Sequence, residues 1–140
     1  MDLRDKIVEL EAFINSEIDI FMKMLQNTDR EVYIKDQILR RAIDKSLNDI
    51  ILATVDIAAN FLKLKKRVAP KTYKEIILAT YEFLGDLSYK ITPLVKCRNE
   101  TIHGYLKTNW ENVKVIRNAK DDILSYVNKI VELTKNQILP

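Results

Sequence analysis

Apolar residues recur along this chain at steps of three and four. Leu3, Ile7, Leu10, Ile14, Ile18, Phe21 and Leu25 mark one face of a first helix, from about residue 2 to 26, closed by Gln26-Asn27. A second stripe (Ile34, Ile38, Leu47, Ile50, Thr54, Ile57, Phe61, Leu64) predicts a helix from about residue 29 to 65. At 1.5 Å per residue that helix would span roughly 50 Å, so it is expected to bend or to project. A third helix is expected from Thr72 to Leu84, closed by Gly85, and a fourth helical region over residues 86–104. In the latter, Thr92-Pro93 either opens the main helix or kinks a longer one; Leu94, Val95 and Ile102 point inward, and Gly104 closes it. A last helix begins at Asn109 or Trp110 and buries Val113, Ile116, Ile123, Val127, Ile130 and Val131. Thr28–Glu31, Thr72–Glu75 and Thr108–Glu111 have capping-box spacing and fall in gaps of the apolar pattern. The string Ile-Ile-Leu-Ala-Thr occurs at 50–54 and again at 76–80, too few copies for a solenoid. The expected fold class is all-α, an antiparallel bundle of about five helices in one domain spanning 1–140.

Composition sharpens this picture mainly by exclusion. Two glycines and three prolines in 140 residues cannot punctuate a β-sandwich or barrel, which needs a turn every ~8–12 residues. A chain of this size buries roughly 68–70% of its unfolded surface, enough for a core without staples. One cysteine, Cys97, excludes an internal disulfide and fits a reducing, cytoplasmic setting. No apolar run follows Met1-Asp2-Leu3-Arg4-Asp5, so no signal peptide is expected, and no stretch approaches the ~20 residues of a membrane span. The net charge of +3 is interleaved and permits a nucleic-acid partner without arguing for one. The basic stretch Leu64-Lys65-Lys66-Arg67-Val68 reads as a solvated helix end whose cations complement the dipole, with phosphate contact as the other reading.

Candidate chemistry centres on the only histidine, His103. One His and one Cys cannot build a di-iron or protein zinc site, and glycines at 85 and 104 alone cannot form a phosphate-binding glycine loop. No metal or cofactor is expected. In Lys96-Cys97-Arg98-Asn99-Glu100-Thr101-Ile102-His103-Gly104-Tyr105, Asn99 and His103 are i,i+4 neighbours on a helix. Arg98 lies about 140° from His103 at the 100° step of a helix, and Gly104 would let Tyr105 turn back toward both. An imidazole can move a proton and a guanidinium can hold charge building on phosphate, a kit suited to cutting RNA. On spacing alone, the reading to prefer is that Arg98 and His103 are ordinary dipole partners in a last helical turn. Cys97 has no base beside it in sequence and reads as a small helical residue, and Trp110 as a packing residue that opens the last helix. Tyr33, Tyr73, Tyr81, Tyr89 and Tyr126 read as core or rim packing, and Lys96, Lys107 and Lys114 flank the motif as candidate RNA contacts.

Arg98-Asn99, three variable residues, then His103-Gly104-Tyr105 resembles the motif of the HEPN superfamily, and the Tyr two after the His resembles its HepT-like branch. The resemblance extends over essentially the whole chain, through Val55-Asp56-Ile57-Ala58 in the long second helix and an entry segment carrying Pro70, Tyr73, Glu75 and Ile76. It implies the toxin of a toxin–antitoxin pair: a metal-independent endoribonuclease whose partner is a small MNT-type nucleotidyltransferase antitoxin. Arg98 and His103 would then be catalytic, Asn99 would orient them, and Tyr105 would accept AMP from the partner. The family often carries an acid after the Tyr-containing loop, where this chain has Asn109. The alternative is a non-catalytic helical subunit that binds or is modified by that transferase. Attack by a 2′-hydroxyl benefits from one base and one acid, and one chain holds one histidine, so a homodimer with a composite site is expected.

Overall fold

The computed structural model of the protein describes residues 2–101 and 109–135. Among the described residues eight helices follow in order: α1 (Leu3–Leu25), α2 (Arg30–Lys35), α3 (Gln37–Leu64), α4 (Tyr73–Ala79), α5 (Tyr81–Leu84), α6 (Asp86–Lys90), α7 (Pro93–Thr101) and α8 (Trp110–Lys135). No strand occurs among the described residues. The three long helices α1, α3 and α8 pack against one another and enclose most of the core. The apolar stripes read from the sequence supply it: Ile7, Ile14, Ile18, Phe21 and Leu25 from α1; Leu47, Ile50, Ile57 and Phe61 from α3; Val113, Ile116, Ile123, Val127, Ile130 and Val131 from α8. α1 and α3 run antiparallel, since Ser46 meets the Glu17 carbonyl and Arg4 shares a cavity with Leu64 and Arg67.

The expected 29–65 helix is two. Asp36 leaves the helical region (φ −89, ψ 95) and serves both neighbours: its N–H bonds the Val32 carbonyl at the end of α2, and its carboxylate accepts the Leu39 N–H at the start of α3. Asp competes well for local backbone donors, so it favours a cap over a helix interior. The break shortens α3 to 28 residues and rotates Ile38 out of the stripe, to 85% exposure. Arg40 spans the break, with Nη1 donating to the Ile34 carbonyl at 2.8 Å. The first capping box is displaced by one residue. Asp29, not Thr28, accepts the Val32 N–H, and the Thr28 hydroxyl donates back to the Met24 carbonyl. The box at Thr72 forms as expected, on the Glu75 N–H.

The repeated pentapeptide has two fates. Thr54 is buried inside α3, donating to the Ile50 carbonyl. Thr80 ends α4, so the expected 72–84 helix is also split. The Thr80 hydroxyl donates to the Ile77 carbonyl at 2.6 Å, leaving its lone pairs for Ser88 and Tyr126, each at 2.8 Å. Gly85 follows with φ 61 and ψ −137, a conformation that only glycine adopts freely, and turns the chain from α5 into α6. Pro93 is the first residue of α7, the position where its missing N–H is harmless. Thr92 does not cap that helix: its hydroxyl bonds the Tyr89 carbonyl at 2.8 Å. The segment 86–104 is thus α6 followed by α7, and Gly104 lies outside the described residues.

Candidate active site

α7 carries the start of the motif. Leu94, Val95 and Cys97 are buried where α7 packs on α3 and α8, and Lys96 points to solvent. Arg98 follows Leu94 by four residues and so lies along the edge of the buried side. It is half-buried, and its Nε is shielded from solvent without a hydrogen-bond partner among the described residues. Buried donors nearly always find an acceptor, and an exception calls for a reason. Asn99 is the next position of α7. His103, Gly104, Tyr105 and Lys107 lie outside the described residues, as do Ile102 and Thr108. Lys114 is on α8, in an ion pair with Glu111 at 3.1 Å.

The segment after α7 is received by an anchored residue. Asn109 is buried, its carbonyl accepts the Val113 N–H at 2.9 Å, and α8 starts at Trp110. The Asn109 side chain hydrogen-bonds the Asp44 carboxylate, and its backbone bonds the Tyr33 hydroxyl. The Tyr33 hydroxyl in turn donates to Asp44 Oδ1, and its ring lies 5.3 Å from that of Trp110. Asp44 therefore sits between two donors near the charge of Arg40. Burial nevertheless dominates and raises its carboxyl above the usual carboxylate range, while the two hydrogen bonds and Arg40 pull the other way. Burial, and then Asp44, raise the Tyr33 phenol, so it stays protonated and donates.

This network gives Asn109 a physical meaning. An acid at 109 would set a second carboxylate against Asp44, and like charges at that distance repel. The amide supplies a donor instead. Asn109 Oδ1 remains buried without a partner among the described residues. Tyr33 and Asp44 were not singled out as site residues by the sequence. The available signal was an acid, Asp44, directly beside Ile43 and three residues before Leu47 in the buried stripe of α3. Trp110 is buried at the start of α8, as expected. Tyr126 joins the core, whereas Tyr73, Tyr81 and Tyr89 are exposed.

Among the described residues no group of three His, Cys, Asp or Glu side chains could hold a metal ion, and no helix is long and apolar enough to cross a membrane.

Residues 14–130 match the family model described as Ribonuclease HepT-like. The chain is similar in fold to YutE, a cytosolic protein of unknown function from Bacillus subtilis, with a TM-score of 0.82 at 16% identity, covering 98% of this chain and 94% of that one. It is similar as well to the tri-AMPylated Shewanella oneidensis HEPN toxin in complex with MNT antitoxin, with a TM-score of 0.76 at 18% identity, covering 90% of this chain and 96% of that one. No curated protein matches the chain in sequence.

Proposed function

The chain belongs to the HepT-like ribonuclease family of the HEPN superfamily, and from that premise we propose that it is the toxin of a toxin–antitoxin pair, a metal-independent endoribonuclease. The observation that carries the proposal is that the family match runs through Arg98-Asn99 and His103-Gly104-Tyr105. The shielded Nε of Arg98, which has no partner among the described residues, supports it, because that donor suits an anionic oxygen brought by a substrate.

In this reading His103 takes the proton of a ribose 2′-hydroxyl, and the 2′-oxygen attacks the adjacent phosphorus. The bond to the 5′-oxygen breaks, and that oxygen receives a proton from an imidazolium. The products are a 2′,3′-cyclic phosphate and a 5′-hydroxyl. Arg98 holds the phosphate oxygens as negative charge builds, and Asn99 orients the pair. Base and acid are two histidines, one from each protomer of a homodimer, since each chain has one. Lys96 and Lys107 contact flanking RNA phosphates.

Tyr105 is the acceptor for AMP from an MNT-type nucleotidyltransferase. The tri-AMPylated state of the similar Shewanella toxin supports that assignment. The transfer joins the Tyr105 oxygen to the α-phosphorus of ATP and releases pyrophosphate. The added phosphodiester and adenine would occupy the space that Arg98 offers to RNA. Mass spectrometry after incubation with the transferase, ATP and Mg²⁺ tests this: an adduct on Tyr105 that abolishes RNA cleavage is expected. An adduct elsewhere, or an unmodified chain, contradicts it. Cleavage of RNA by the unmodified protein in excess EDTA is expected for the metal-independent chemistry, and its loss there contradicts that chemistry. A helical subunit without activity of its own would bind the transferase and leave RNA intact.

A further inference from the structure

At the far end of α3 from Asp44, Arg4 and the residues that close α3 line a cavity of about 430 Å³, together with Phe83. Asp44 and Leu64 are 20 residues apart on α3, about 30 Å at 1.5 Å per residue, so this cavity is remote from the Asn109 end of the molecule. Four of its six lining residues are cations: Arg4, Lys65, Lys66 and Arg67. One is neutralised, since Arg67 holds Glu82 through two bonds of 2.7 and 3.0 Å. The other three have no acidic partner among the described residues.

Cations at the end of α3 complement its dipole. Arg4 reaches the same place from the first turn of α1, the end at which its own helix disfavours positive charge. Arg4 Nε is also buried without a partner among the described residues. Lys66 adds a separate oddity. α3 ends with the Lys66 N–H on the Lys63 carbonyl at 3.0 Å and the Arg67 N–H on the Leu62 carbonyl at 2.9 Å, which is the Schellman closure. Its left-handed residue is usually glycine, yet here it is Lys66 at φ 59. The chain accepts backbone strain at the place where it puts a cation into the cavity. Burial, and then the neighbouring Arg67 charge, lower the Lys65 ammonium.

We propose that this cavity binds a phosphate group, held by Arg4, Lys65 and Lys66, as a second anion site separate from the Arg98 motif. A nucleobase is the poorer fit. The Phe83 ring already packs against Phe61 at 5.3 Å, with the Arg67 guanidinium 5.2 Å and the Lys65 ammonium 5.4 Å from its centroid. The phosphate belongs either to an RNA backbone or to a free anion, and the claim does not depend on the ribonuclease reading.

The test titrates the full chain with inorganic phosphate and, separately, with a fully 2′-O-methylated RNA oligonucleotide, which lacks the attacking hydroxyl. Binding is read by calorimetry and by the NMR signal of Arg4 Nε–H. Phosphate is expected to move that signal, and Arg4→Gln to weaken binding about tenfold or more, as for loss of a charge-assisted bond. Lys66→Gly removes a cation while relieving the strained backbone, so it is expected to raise the melting temperature and still weaken binding. Stability and binding moving in opposite directions separate a lost contact from a damaged fold. If the site serves RNA, the oligonucleotide binds more tightly than phosphate, and Lys66→Gly lowers its salt slope by about one. If it serves a free anion, RNA gains nothing over phosphate. An unmoved Arg4 signal with both probes, or wild-type affinity in both variants, overturns the proposal.

Discussion

Asp44 carries an unusual share of the architecture for one side chain. It joins α2, through Tyr33, to the entrance of α8, through Asn109. Tyr33→Phe removes a donor from a half-buried carboxylate, and the expected loss is ~1–3 kcal/mol by urea unfolding. The pH dependence follows from the direction of the Asp44 shift. Its folded value is raised by burial, whereas the unfolded chain titrates near 3.9. Between those two values the folded state binds more protons, so stability falls as pH rises through that window and then levels off. Asp44→Asn is expected to remove this slope in unfolding curves collected from about pH 4 upward; an unchanged slope would assign it to another group. None of this network could be read from the sequence. Asp44 and Asn109 are partners 65 positions apart, and periodicity reports only which face of its own helix a residue occupies. Arg98, by contrast, can be singled out from the sequence because its motif is local, and its catalytic role is a proposal.

The elements match the expected helices where the apolar stripe is long and unbroken, in α1 and α8, and in α3 from Leu47 onward, since tertiary burial and helical period reinforce each other there. The errors fall at breaks made by single polar residues without Gly or Pro. Asp36 fits a helix interior by pattern and a cap by chemistry, and capping two helices at once decides the matter. Asp36→Ala is expected to destabilise by about 0.5–2 kcal/mol, with fraying at Lys35–Leu39 in amide exchange. Thr80 was invisible for another reason. The same five residues continue as helix at 50–54, and what differs at 76–80 is that Ser88 and Tyr126 wait for the hydroxyl. Thr80→Val keeps the shape but strands both partners, and it should lower stability by roughly 1–3 kcal/mol. Tyr126→Phe paired with Thr80→Val in a double-mutant cycle should show non-additivity, because the two share one bond.

The whole molecule is a three-helix core with shorter helices laid on it, and its termini of interest lie at opposite ends of α3. At one end α7 delivers Arg98, and Asn109 is pinned beside Asp44 and Tyr33. At the other, Arg4, Lys65 and Lys66 face a cavity without an acidic partner among the described residues. The fold and family were legible from the helical stripes and from the Arg98–Tyr105 motif. The proposed chemistry is the cutting of RNA by Arg98 and His103. It is tested most directly by single-turnover cleavage of a labelled RNA by wild type, His103→Ala and Arg98→Ala, each first shown to be folded. Wild type is expected to cleave, with losses of about 10²–10⁴-fold for His103→Ala and about 10²–10³-fold for Arg98→Ala. Cleavage at the wild-type rate by both variants would contradict it.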